Sequence, residues 1–93
     1  MPKIAFYKYL LFYIVSYDLS ERLHVHVGNT RTRKGRDAKL WIDNAKVHER
    51  GDLTKEELNL CCKLIERNRN EIIHAIKNFA SGKKQKPFQL KLK

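Results

Sequence analysis

Residues 22–43 read RLHVHVGNTRTRKGRDAKLWID, two short runs of alternating character separated by a polar, basic stretch. In the first run Leu23, Val25 and Val27 alternate with His24, His26 and Gly28. In the second, Ala38, Leu40 and Ile42 alternate with Lys39, Trp41 and Asp43. A period of two sends successive side chains to opposite faces of a strand, so each run reads as a strand with one apolar face. If the two pair as a hairpin, both apolar sets must lie on the core side, and that requirement sets the parity of the register. One register meeting it places His26 opposite Trp41, His24 opposite Asp43 and Gly28 opposite Lys39, all on the face away from the core. Side chains directly opposed across two strands are close enough to touch.

Upstream, residues from Lys3 to Tyr17 are β-branched, aromatic and aliphatic, which reads as two strands with a turn near Tyr7 to Tyr9. Leu10, Phe12 and Ile14 share one face; Tyr9, Leu11, Tyr13, Val15 and Tyr17 share the other. Phenol rings favour surfaces that are apolar at one end and wet at the other, so the even-numbered face is the core side. Asp18 to Arg22 is a polar connection. Downstream, Ala45 to Arg50 adds a short edge strand, ended by Gly51-Asp52.

The period then changes. Thr54-Lys-Glu-Glu57 is a capping box, in which side chains satisfy the orphan backbone N–H groups of a helix start. Leu58, Cys62, Ile65, Ile72, Ile76 and Phe79 recur at spacings of three to four, with an interruption at Asn68-Arg69-Asn70 where the helix can bend. Gly82 is a C-terminal stop. Phe88, Leu90 and Leu92 alternate with polar residues as a weak final strand. The expected fold is α+β: an antiparallel sheet of four to five strands with one long amphipathic helix packed on one face, residues 1–82 forming a single domain and 83–93 a basic tail.

Ninety-three residues suffice for one core without covalent staples. Hydrophobic residues make up 42% of the chain and charged residues 32%, which places it among globular rather than disordered sequences. Cys61 and Cys62 are adjacent and have no other cysteine partner, so neither a disulfide framework nor a zinc cage is expected; both read as small apolar side chains. The apolar run Leu10 to Val15 is too short to span a membrane, and Ser16-Tyr17-Asp18 does not resemble a signal-cleavage site. A soluble cytoplasmic protein with no cofactor and no metal is the expectation.

The formal net charge is +10. Arg31, Arg33, Lys34 and Arg36 carry four positive charges within six residues, and Lys83, Lys84, Lys86, Lys91 and Lys93 carry five at the C-terminus, leaving the rest of the chain nearly neutral. Clusters of this kind attract polyanions.

Three readings of the non-core face follow. In the first, His24 and His26 are solvated imidazoles on a half-wet strand, bonded locally. In the second, His26, Trp41 and the odd-numbered tyrosines stack bases while Arg31, Arg33, Lys34, Arg36, Lys83, Lys84 and Lys86 hold the phosphates of RNA or DNA. In the third, His24 polarised by Asp43 acts as general base in a metal-independent ribonuclease. His48 and His74 are read as making local contacts only. An apolar aromatic face also suits a small protein partner or a homodimer.

The ordered motifs MPKI, LHVHV, AKLWI, a turn containing Gly51 and LTKEEL resemble the bacterial domain of unknown function 4160 family, whose mark is an H-x-H-V strand before an (A/C)-K-(I/L)-x-(I/L) strand. The similarity runs from about Lys3 to Phe79. Many members carry Pro-Pro before the first histidine; here Arg22-Leu23 stands there, and the basic insertion Thr30–Arg36 is long for the family. The resemblance implies a compact α+β fold. It also implies a partner protein encoded alongside, in an arrangement similar to toxin–antitoxin modules, but no reaction.

Overall fold

A computed structural model of the chain describes residues 3–14, 22–31 and 35–92. The elements in order are β1 (Lys3–Tyr7), β2 (Leu10–Tyr13), β3 (His24–Asn29), β4 (Ala38–Trp41), β5 (Val47–Glu49), α1 (Lys55–Arg67), α2 (Arg69–Ala80) and β6 (Phe88–Gln89). The strands form one sheet in the order β5-β4-β3-β2-β1-β6. Neighbours are antiparallel except β6, which runs parallel to β1. The class is α+β. The sheet is mixed and six-stranded, not purely antiparallel with four or five strands, and the helical region is two helices, not one.

The β1–β2 hairpin turns at Lys8-Tyr9, with Tyr7 opposite Leu10 and Lys8 in the left-handed region at φ 53°. The ladder between β1 and β2 skips at Ile4, so Ile4 and Ala5 are both buried where strict alternation would expose one. Leu10, Phe12, Val25, Val27, Ala38, Leu40 and Ile42 line the buried face, as the period of two indicated.

Parity between β3 and β4 is as inferred, but the register is displaced by two residues. His24 faces Trp41 and His26 faces Lys39. Continued past its ends, this register brings Arg22 to Asp43 and Gly28 to Asp37. Arg22 donates from Nε and Nη2 to the two Asp43 oxygens at 2.8 and 2.9 Å. A guanidinium matches a carboxylate through two parallel bonds, which the imidazole of His24 could not supply at that position. At the other end of the ladder, a Cβ on Gly28 would lie 2.8 Å from Asp37 Oδ1, so any larger residue there would displace the Asp37 carboxylate.

Thr54 and Glu57 form the capping box in both directions. Leu58, Cys61, Leu64 and Ile65 of α1 and Ile72, Ala75 and Ile76 of α2 cover the sheet. Cys62 and Phe79, placed on the apolar stripe from sequence, lie at its half-buried margin. The break at Asn68 resets the helical phase, so a single stripe drawn through both segments misassigns its borders.

Asn68 has non-helical dihedrals (φ −115°, ψ 20°) and is 4% exposed. Its Nδ2 donates to the carbonyls of Leu64 and Lys91, both at 2.8 Å, and its Oδ1 accepts from the Lys91 N–H at 3.2 Å. Arg69 donates to the Ile42 carbonyl at 2.8 Å and Arg67 to the Leu92 carbonyl at 2.9 Å. The helix junction is therefore tied both to the end of β4 and to the C-terminal segment. Gly82, at φ 85°, ends α2: its N–H bonds the Phe79 carbonyl and that of Lys83 the Asn78 carbonyl, the paired bonds of a Schellman stop. After β6, Leu90 is 1% exposed and donates its N–H to the Phe6 carbonyl. The basic tail thus contributes a core side chain and a strand.

Candidate nucleic-acid interface

The sheet face opposite the helices carries a continuous row of rings. Tyr13 on β2 stacks on His26 of β3 with centroids 5.3 Å apart and planes 20° from parallel. His26 meets the edge of His24 at 5.2 Å, His24 meets Trp41 of β4 at 5.8 Å, and Trp41 meets His48 of β5 at 4.8 Å. Opposition across the ladder explains two of these contacts, since Tyr13 faces His26 and His24 faces Trp41. His48 joins because the β4–β5 ladder skips it, leaving it as the extra residue of a bulge.

A carboxylate is engaged near each end of the row, one at Tyr13 and one beside Trp41. At one end the Tyr13 hydroxyl donates to Asp37 Oδ2, and burial pushes the Asp37 carboxyl above its ordinary pKa. At the other, the Arg22 guanidinium lies 4.1 Å from the Trp41 ring centroid while holding Asp43, whose pKa it depresses. Burial, helped by His24 and Lys39, lowers the pKa of His26 and favours its neutral ring.

The structure brings His26 and Trp41 onto one face, as the sequence suggested, but in different rungs of the ladder. The His24–Asp43 opposition does not form: Asp43 is engaged by Arg22, and His24 lies against His26 and Trp41. Among the described residues no three His, Cys, Asp or Glu side chains gather in a group able to hold a metal ion.

The basic loop is only partly described. Arg33 and Lys34 lie outside the described residues, as do Val15 and Tyr17 of the odd-numbered set. Arg31 folds back with its guanidinium 3.6 Å from the Tyr9 ring centroid. Arg36 is held at its backbone: its N–H donates to Asp52 Oδ2 at 2.6 Å and its carbonyl accepts from the Asp52 N–H at 2.9 Å. Its guanidinium remains exposed, 3.6 Å from Asp52. Gly51, at φ 60°, permits this approach, because a Cβ there would sit 2.5 Å from the Arg36 carbonyl oxygen. Asp37, next to Arg36, joins the loop base to the Tyr13 end of the row.

Lys83, Lys84 and Lys86 are not part of this face. They lie on the segment from α2 to β6, at the sheet edge opposite β5. Sequence reasoning also missed Arg22, Asp37 and His48. The available signal was charge: of the registers with correct parity, the observed one pairs Arg22 with Asp43.

Fold and face together define a small α+β protein with an aromatic sheet surface that no helix among the described residues covers, beside a basic loop. The chain belongs to the family described as a domain of unknown function (DUF4160), whose model matches residues 10–75. That span takes in the ring row from Tyr13 to His48 and most of both helices. No curated protein and no solved structure matches the chain. Among the described residues no helix is long and apolar enough to cross a membrane.

Proposed function

We propose that the chain binds single-stranded nucleic acid across the open sheet face. The observation that supports this is the row Tyr13–His26–His24–Trp41–His48, with Arg22 layered on the indole. Bases stack on aromatic rings and on guanidinium planes alike, and a sheet face carrying both suits unpaired strands. The face itself is close to neutral, since Asp43 is matched by Arg22 and Glu49 sits opposite Lys39. Phosphate contacts therefore fall to the basic residues Arg31, Arg33, Lys34 and Arg36.

Fluorescence anisotropy with a short single-stranded RNA tests the reading. Trp41→Ala should weaken binding by about 1–3 kcal/mol, and Trp41→Phe should retain much of the affinity. Neutralising the loop arginines and lysine should lower the slope of log affinity against log salt by about 0.7 for each phosphate they would otherwise neutralise. Wild-type affinity in Trp41→Ala together with an unchanged salt slope in the loop variant would refute the assignment.

A second reading rests on Phe6, which is 38% exposed and faces Leu11 across the β1–β2 ladder on the same open side. An apolar pair beside the ring row suits a small protein partner, such as the other member of a toxin–antitoxin-like pair, or a second copy of the chain. Phe6→Lys would then abolish co-purification with that partner, or convert a dimer to a monomer, and leave RNA affinity intact.

A further inference from the structure

The C-terminal segment that carries the lysine cluster, set apart from the ring row, lines an open cleft of its own through Gln85 and Phe88. Residues 83–87 leave the Schellman stop of α2 and return to the sheet edge as β6, and between this segment and α2 lies a solvent-open cleft of about 310 Å³. It is lined by Asn70, Glu71, His74 and Ala75 from α2 and by Gln85 and Phe88 from the returning segment. Glu71 and His74 are three apart and Asn70 and His74 four apart, which puts these side chains on one side of the helix. Ala75 is buried and small, so it leaves room; Phe88 is half-buried and supplies an aromatic wall. The volume lies at the lower end of the range for small-molecule sites, roughly 300–1,000 Å³.

Three features point to one class of ligand. The lining is mainly apolar with one aromatic ring, which suits a flat heterocycle. Asn70 and Gln85 each offer both a donor and an acceptor, the complement of a base edge. Lys83, Lys84 and Lys86 stand exposed on the segment that contributes Gln85, and among the described residues none of them forms an ion pair. We propose that this cleft binds a single nucleotide, its base between α2 and Phe88 and its phosphate on the lysines. Glu71 is acceptor-only when ionised, so it complements a base edge that presents two adjacent donors. Guanine does so through N1–H and N2–H, whereas adenine turns the N1 lone pair toward the carboxylate. Guanine is therefore the favoured base.

The site does not depend on the open sheet face, and the test separates the two. Backbone amide NMR of the full chain, titrated with GMP, should move the signals of Asn70, Glu71, His74, Gln85 and Phe88 while those of His24, His26 and Trp41 stay in place. Trp41→Ala should bind GMP as the unchanged chain does. AMP should bind about tenfold more weakly than GMP, the discrimination expected of one bidentate pair. Glu71→Gln should erase that preference. Replacing Lys83, Lys84 and Lys86 with alanine should weaken GMP but leave guanosine unaffected. An oligonucleotide with a 5′-phosphorylated terminal guanosine, compared with GMP, identifies the source: equal affinity assigns a strand end, and GMP binding alone assigns the free nucleotide. Absence of shifts at these residues with millimolar GMP, equal affinity for AMP and GMP, or a guanine preference that survives Glu71→Gln would overturn the proposal.

Discussion

Replacing Asn68 with alanine tests how the C-terminal segment is held to the domain. The carboxamide serves three backbone partners: the Leu64 carbonyl, the Lys91 carbonyl and the Lys91 N–H. The Leu64 carbonyl also accepts from the Asn68 N–H at 3.0 Å, so it keeps a partner in the variant. The loss falls on the two Lys91 groups. A buried backbone group left unsatisfied costs about 1–3 kcal/mol. These two are partly buried, so water recovers a share, and the pair should cost about 2–3 kcal/mol in total. Alanine is the better helix former by up to about 0.7 kcal/mol, but position 68 is not helical, so little of that gain is realised. Urea unfolding should show the lower midpoint. Hydrogen exchange should show the mechanism, because the Leu90 amide, bonded to the Phe6 carbonyl, should lose more protection than amides in β3. Asn68→Asp keeps the acceptor for Lys91 but aims a carboxylate at two carbonyls, so at neutral pH it should be at least as damaging as alanine. A cost for Asn68→Ala below about 0.5 kcal/mol, the range of ordinary surface changes, would refute the clasp.

Thr54→Ala should cost about 1 kcal/mol by removing the cap. Glu57 is the other half of that box and also accepts from Asn29 Nδ2 at 3.2 Å; the Thr54 backbone N–H is the main cause of its depressed pKa. A carboxylate whose folded pKa lies below its unfolded value adds stability that is complete above the unfolded pKa of about 4.3 and disappears as pH falls through the folded one. Glu57→Gln should therefore flatten the acid limb of a stability–pH curve; an unchanged limb would remove Glu57 from that account. Burial pushes the Cys61 thiol up to about 12, with Cys62 raised less strongly. A thiol-specific reagent at pH 8 should thus modify Cys61 only after unfolding, and rapid labelling of Cys61 in the folded chain would contradict its placement under the sheet.

Local chemistry was enough to reveal several features. The period of two in β2, β3 and β4 identified the buried face, because parity alone decides which side chains face the helices. The Thr54–Glu57 box marked the helix start and Gly82 its end, since both depend on backbone groups only a few residues away. The likeness of LHVHV and AKLWI to a known family was legible for the same reason: such motifs are contiguous. Other features depended on which distant residues meet. Parity left registers two residues apart equally acceptable, and the observed one is marked by the Arg22–Asp43 pair. The helix break at Asn68 read as a bend, and it became two helices because a buried side chain found partners in Lys91, more than twenty residues away. Alternation in Phe88, Leu90 and Leu92 was a weak signal alone; burial of Leu90 and pairing with β1 made it a strand. The ring row shows the same division. Histidines, tryptophan and tyrosine were visible one by one, but their contact, and the separation of Lys83–Lys86 from them, followed only from the strand order.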